Sequence, residues 1–329
     1  MSESVIEAKG LVKNYKDLVA VAGIDLDVHA GEIFGFLGPN GAGKSTTISM
    51  LCTLLTPTAG VARVAGIDVV HDPAAVRQRI GLVFQDPSLD DQLTARENLE
   101  FHAFVYSVPP PDRRRRIDEM LDMMQLADRG SSQVKTFSGG MKRRLEIARG
   151  MLHQPQILFL DEPTLGLDPQ TRKSIWTHLN ELRSKKGVTI FMTTHYMDEA
   201  EYCDRIAIID HGKIVALGTP DELKAMVGGD VVTITSERPE DAATEITRLL
   251  GVTPSRDNGT LRMEVKDGKA FVPRLVRELT APVDTVSLRR PSLDDVFLKL
   301  TGRAIREEEA SARDRNRAMA SRWMSGRRR

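Results

Sequence analysis

Apolar residues along this chain come in two rhythms, and their alternation predicts an α/β layer architecture. Four short runs have no polar face and read as strands buried on both sides: Ile33-Phe34-Gly35-Phe36-Leu37, Ile80-Gly81-Leu82-Val83-Phe84, Ile157-Leu158-Phe159-Leu160 and Val188-Thr189-Ile190-Phe191-Met192. Ile206-Ala207-Ile208-Ile209, then Gly212-Lys213, then Ile214-Val215-Ala216 predict a hairpin. A helix is expected through Thr46 to Cys52, stopping near Thr56-Pro57. From Asp86 to about Pro155 strand-like runs vanish, while Ile117, Met120, Leu121 and Met124 recur at helical spacing. That stretch reads as a helical lobe inserted into the α/β core, with Pro109-Pro110-Pro111 a loop and Asp112 a helix N-cap.

The pattern changes again near Gly228-Gly229-Asp230. Strand-like Val231–Thr235, Thr260–Val265 and Thr285–Leu288 alternate with helical segments around Ala242–Leu250 and Phe271–Leu279. This predicts a small α+β accessory domain over residues 230–301, following a larger domain over 1–226. A basic tail, 302–329, ends in Arg327-Arg328-Arg329 and is expected to be solvated and frayed.

Composition narrows the classes without naming one. The 329 residues suit two domains, and 41% hydrophobic content is enough for full cores. Lysine plus arginine balances aspartate plus glutamate, 46 against 46, so a nucleic-acid partner is not expected from overall charge. The start lacks a basic and an apolar segment, so no signal peptide is expected, and no run is long enough to span a bilayer. Cys52 and Cys203 are expected to be small buried hydrophobes.

The chemistry is carried by Gly38-Pro39-Asn40-Gly41-Ala42-Gly43-Lys44-Ser45-Thr46, which fits the phosphate-binding pattern G-x-x-x-x-G-K-[ST] between a strand and a helix. Glycines let backbone N–H groups approach phosphates, and a helix beginning near Lys44 points its positive dipole end at the anion. Lys44 would supply a point charge and Ser45 a hydroxyl for Mg²⁺. Asp161, at the end of an apolar strand, is expected to complete Mg²⁺ coordination, and Glu162 to polarise an attacking water. Taken singly, His195, Gln85 and Tyr15 say little, since each fits a structural role as well.

Together with Phe137-Ser138-Gly139-Gly140-Met141, these residues resemble the ATP-binding cassette family, the ATPase subunits of transporters, over residues 4 to about 226. The resemblance identifies Gly38–Thr46 as Walker A, Gln85 as the Q-loop and Phe137–Met141 as the signature. Ile157–Glu162 is then Walker B, Gly166-Leu167-Asp168 the D-loop and His195 the switch histidine. The implied fold is a P-loop NTPase core of the cassette type. ATP would bridge two copies head to tail, with Ser138, Gly139 and Gly140 of one copy facing Walker A of the other. Glu162 would be the general base, and His195 would contact the γ-phosphate. Gln85 would sense Mg²⁺, Asp168 would follow the dimer seam, and Tyr15 would stack on adenine with Val21 beside it. Phe137 and Met141 depart mildly from the usual leucine and glutamine, and Gly150 interrupts the following helix at about 1 kcal/mol relative to alanine.

Arg290-Pro291-Ser292-Leu293-Asp294-Asp295-Val296-Phe297-Leu298 is similar to the closing motif of accessory domains in daunorubicin-resistance-type (ABC-2) exporter ATPases. By its own pattern it is also a final helix packing Leu293, Val296 and Phe297. The resemblance implies a peripheral subunit at the cytoplasmic face of the cell membrane. It would power drug, lipid or glycan efflux through separate permease subunits docked near Gln85 to Tyr106. The alternative is a soluble, non-transport cassette ATPase acting on ribosomes or nucleic acid, supported by the arginine-rich tail alone.

Overall fold

The computed structural model describes residues 3–16, 18–257 and 260–301, so the arginine-rich tail lies outside the described residues. The described residues divide into two compact units, the first running to Leu217 and the second beginning at Gly218. The helix Pro220–Ala225 therefore belongs to the second unit, whereas the sequence pattern placed the boundary at 226.

In the larger unit a six-stranded sheet has the order Lys213–Gly218, Arg205–Asp210, Ile33–Leu37, Thr189–Thr194, Ile157–Asp161, Ile80–Val83. The last five of these strands run parallel. The four apolar runs singled out above all lie in this sheet, because a parallel sheet covered on both faces needs no polar side. A second, antiparallel sheet has the order Leu18–His29, Ser4–Tyr15, Ala59–Val64, Ile67–Asp68. The helix Lys44–Leu51 shares one core with both sheets, joining Ile48, Met50 and Leu51 to Leu11 and Val28 on one side and Phe36 and Phe159 on the other. The loop ahead of this helix is thus anchored from two directions.

The antiparallel sheet was not legible in the hydrophobic pattern. Ile6 and Ala8 face the core, but Gly10 adopts φ 55 and the register shifts between Ala8 and Leu11. The bulge changes the phase of alternation, so Leu11 is buried where strict alternation would expose it.

The inserted lobe is helical, with helices Ala95–Val105, Pro110–Met123 and Gly139–Met151. Ile117, Met120, Leu121 and Met124 are buried as expected. Asp112 is not the cap. The helix starts at Pro110, because Pro110 and Pro111 lack N–H groups that need partners and have φ preset for a first turn. Asp112 lies within that turn, 2.9 Å from Arg115 and 3.6 Å from Arg116. At Gly150 an added Cβ would lie 3.3 Å from Leu158 Cδ1, whereas a Cβ on Gly81 would lie 2.3 Å from the Gly150 carbonyl oxygen, so the close approach here requires glycine at 81.

The second unit has a four-stranded antiparallel sheet, ordered Ser255–Asp257, Thr260–Val265, Asp230–Thr235, Thr285–Arg289. Helices Pro239–Leu250 and Gly268–Glu278 contribute Ile246 and Leu275 to its core with Val232, Ile234, Leu261 and Met263. Leu293, Val296 and Phe297 are the buried face of the final helix, Leu293–Thr301. Both cysteines are free and buried.

Phe191 is the centre of the larger core, with ring centroids 5.5, 5.6 and 5.4 Å from those of Phe34, Phe36 and Phe159. Phe191→Ala is expected to destabilise this unit by about 3–5 kcal/mol, the usual cost of deleting a buried aromatic ring. The check is the urea midpoint followed by tryptophan fluorescence; an unchanged midpoint would contradict the central place given to this ring.

Candidate active site

The register of the parallel sheet gathers three strand ends. Leu37 pairs with Thr194, and Asp161 pairs with Thr193. The loop after Leu37, the acids 161–162 and His195 therefore emerge together at the carboxyl edge of the sheet, where open α/β sheets bind ligands.

The loop is held by backbone contacts. The Gly38 N–H donates to the Thr194 carbonyl at 3.3 Å, and the Gly212 N–H donates to the Ala42 carbonyl at 2.9 Å. Gly43 has φ +107, and a Cβ there would lie 2.5 Å from the Ala20 carbonyl oxygen, so only glycine fits. Lys44 opens the helix with its side chain 4% exposed. Its Nζ donates to the carbonyls of Gly38 at 2.8 Å and Pro39 at 3.1 Å, and lies 3.2 Å from Glu162 Oε1.

The two acids are positioned differently. Asp161 Oδ1 accepts from Ser45 Oγ at 3.4 Å and from Thr193 Oγ1 at 2.5 Å. Glu162 has left-handed backbone, φ 46, a conformation that costs a non-glycine residue about 1–3 kcal/mol and recurs at functional sites. Its N–H donates to Thr193 Oγ1 at 2.9 Å, and its Oε1 lies 3.3 Å from His195 Nδ1. Burial pushes the Glu162 carboxyl up, but His195 and Lys44 more than offset this and hold it below the usual carboxylate value. Glu162 is therefore an ionised, largely desolvated carboxylate at neutral pH.

A cavity of about 360 Å³, within the size range of small-molecule sites, opens over Lys44, Ser45 and Glu162, while Asp161 and His195 do not line it. It brings together Tyr15, Asn40, Gly41, Gly43, Lys44, Ser45, Thr46, Gln85 and Glu162, all singled out from the sequence. Gln85 is fixed through its backbone, since Arg143 donates to the Phe84 carbonyl at 2.6 Å and to the Gln85 carbonyl at 2.9 Å. Val21 does not flank Tyr15. It is fully buried in the core behind the loop, and Leu18 is the cross-strand neighbour of Tyr15. Leu18, Val19, Ala20, His211 and Gly212 also line the cavity, and the sequence pattern did not single them out for it. Their signal was weak because they arrive from a bulged strand and a hairpin turn that fold over the loop from elsewhere in the chain.

Ser138, Gly139, Gly140 and Asp168 do not line this cavity. Ser138 is the N-cap of the helix Gly139–Met151, accepting from the Met141 N–H at 3.3 Å. Ser138 and Gly139 are exposed, and a Cβ on Gly139 would meet only Leu167 at 3.6 Å. Gly140 is different, since a Cβ there would lie 2.4 Å from Thr171. Asp168 caps the helix Pro169–Lys186, accepting from the Thr171 N–H at 3.0 Å and hydroxyl at 2.6 Å. Phe137 is 7% exposed under the Arg129 guanidinium, which accounts for an aromatic ring at that position.

A larger cleft, about 1010 Å³, lies wholly in the second unit and mixes lysines with carboxylates, such as Lys224 beside Asp221 at 3.2 Å. Its lining includes Arg290 and Pro291 of the closing motif, but no residue of the phosphate loop, the paired acids or the signature.

Known proteins share both units. The family described as ABC transporter matches residues 21–165, and the DrrA1-3-like ATP-binding protein C-terminal domain matches residues 218–301. Daunorubicin resistance ATP-binding protein DrrA3 of Streptomyces coeruleorubidus is 42% identical over 317 residues, covering 94% of this chain and all of the relative. Linearmycin resistance ATP-binding protein LnrL of Bacillus subtilis is 36% identical over 92% of this chain and all of its own length. Among solved structures, an ATP-binding subunit of an ABC transporter superposes with a TM-score of 0.61 at 32% identity, over 68% of this chain and 92% of that one. The cassette MJ0796, solved as a dimer in a post-hydrolysis state bound to ADP and Pi, gives 0.59 at 30% identity over 65% of this chain and 98% of its own. The phosphate loop, the paired acids and the second unit thus have one explanation: the chain belongs to the ATP-binding subunits of ABC transporters, in the DrrA-like group.

Proposed function

We propose that this chain is the ATPase of a two-component exporter, closing on ATP as a head-to-tail homodimer and driving a separate membrane permease. The observation that carries the catalytic reading is the contact of Glu162 with both Lys44 and His195 at the mouth of the phosphate loop. In this reading the ATP phosphates draw Lys44 away from Glu162 and leave the carboxylate facing the attacking water. The water oxygen bonds to the γ-phosphorus, Glu162 takes its proton, and the bond to ADP breaks. His195 holds the Glu162 carboxylate and reaches the γ-phosphate, while the loop N–H groups and helix dipole meet the phosphate charge.

The residues present suit Mg²⁺. Ser45 Oγ and the Asp161 carboxylate lie within hydrogen-bond distance, a hydroxyl-and-carboxylate pair to which the substrate phosphates would add their oxygens. Mg²⁺ bound there with ATP would neutralise developing charge on the phosphate oxygens, and Gln85 faces the same cavity.

The split between the cavity and the exposed Ser138 and Gly139 supports a composite site. Within one chain Gly139 has no steric need to be glycine, which fits a surface approached by the partner's nucleotide. Export rests on the resistance proteins that the chain resembles over nearly all its length. Among the described residues no helix is long and apolar enough to cross a membrane, so the permease is a separate chain in this reading and the ATPase lies at the cytoplasmic face. Docking is assigned to the lobe near the Q-loop, where Phe84, Phe101, Phe104 and Val105 are 42%, 66%, 67% and 57% exposed. The comparisons give no support to a ribosomal or nucleic-acid role.

Glu162→Gln is expected to slow ATP hydrolysis by at least about 10²–10⁴-fold, the range for loss of a general base, and to accumulate an ATP-bound dimer. Steady-state turnover and size-exclusion chromatography with ATP check this, and near-normal turnover would remove Glu162 from the role. Phe101→Asp combined with Phe104→Asp is expected to release the chain from membranes carrying its permease while leaving nucleotide binding intact. Sedimentation of the variant with membranes to the wild-type extent would refute docking at this surface.

A further inference from the structure

A second buried carboxylate lies just behind the catalytic contact, and the hydrolysis scheme does not use it. Glu199, in the short helix Met197–Ala200, is 4% exposed. Its Oε2 accepts from the Thr194 hydroxyl at 2.8 Å, and its Oε1 accepts from the Thr164 hydroxyl. Burial pushes its carboxyl above the usual value, and these hydroxyl contacts offset that only in part. A carboxylate buried among hydroxyls is a costly way to fill space, and packing alone would be met by an apolar side chain.

What the carboxylate joins is more informative. Thr194 directly precedes His195, and its hydroxyl also accepts from the Tyr196 N–H at 2.9 Å, so it fixes the chain on both sides of the histidine. Thr164 belongs to the turn that follows Glu162, in which the Leu165 N–H donates to the Glu162 carbonyl at 3.2 Å. Glu199 therefore ties the segment carrying His195 to the segment carrying Glu162. The Tyr196 ring packs against His195 at 4.1 Å and is covered by the Arg172 guanidinium at 4.2 Å, which leaves the histidine little room to reorient.

We propose that Glu199 is a positioning residue for ATP hydrolysis, holding His195 against Glu162 by bridging Thr194 and Thr164. The inference rests on the catalytic reading of Glu162 and His195 given above. Glu199 does not line the cavity, so its loss is expected to separate turnover from ATP binding.

The test uses the purified full-length chain, with ATP turnover measured across ATP concentration and melting temperature recorded for each variant. Glu199→Ala is expected to lower kcat by about 10–100-fold, the scale on which small misplacement of a catalytic group acts, with KM for ATP essentially unchanged. Thr194→Val and Thr164→Val each reproduce part of the loss. Glu199→Gln, of the same shape and able to accept from one hydroxyl, keeps the fold and loses less, and it carries the test if the alanine variant does not fold. In a His195→Ala background, removing Glu199 should add almost nothing, because it acts through the histidine. A full additional loss in that background, or a change in KM with kcat intact, overturns the proposal. Normal turnover by His195→Ala alone would instead bring down the underlying site reading, and this inference with it.

Discussion

The larger unit is organised around one buried charge contact. Lys44 and Glu162 lie 3.2 Å apart with their side chains 4% and 8% exposed, and Lys44 is also held by two loop carbonyls. Such a pair contributes little net stability, because desolvation offsets most of the attraction, yet removing one partner leaves an uncompensated charge at about 3–5 kcal/mol. Its value is electrostatic readiness: a cation that an arriving polyanion can recruit, and a carboxylate kept ionised despite burial. The surrounding fold serves this contact. The strand before the loop, the strand before the acids and the strand before His195 are neighbours in one sheet, so backbone register alone brings their ends together.

The strand Thr189–Thr194 and the residue after it show how closely the two sides are laced. Thr193 donates to Asp161 and accepts from the Glu162 N–H. The Thr194 carbonyl accepts from Gly38, and its hydroxyl donates to Glu199. His195 then meets Glu162. Three consecutive residues thus reach the phosphate loop, the proposed metal-binding acid and the proposed base, and a shift of any one strand end would be felt at all three.

Much of the site was legible because its chemistry constrains residue type locally. A loop that packs against the Ala20 carbonyl at Gly43 admits only glycine, and an acid at the end of a buried strand stands out against its apolar neighbours. What was hidden depended on long-range geometry. Glu199 looks like an ordinary helix acid until the fold buries it between two threonines 30 residues apart in the sequence. Leu18 and His211 line the cavity only because a strand and a hairpin fold across the loop. The first antiparallel sheet is hidden from the hydrophobic pattern because bulges at Gly10 and Gly23 break its alternation, and two prolines start a helix ahead of Asp112 where an acid alone would suggest a cap.

In the head-to-tail dimer the nucleotide pocket of one copy would be finished by the exposed Ser138 and Gly139 of another. Mixing two inactive full-length proteins, one Lys44→Ala and the other Ser138→Arg, tests it directly through ATP hydrolysis. A mixed dimer would hold one site with an intact loop facing an intact signature, so the account predicts that each protein alone is inactive and that the mixture regains activity. Hydrolysis by Ser138→Arg alone, or a mixture as inactive as its components, would contradict it.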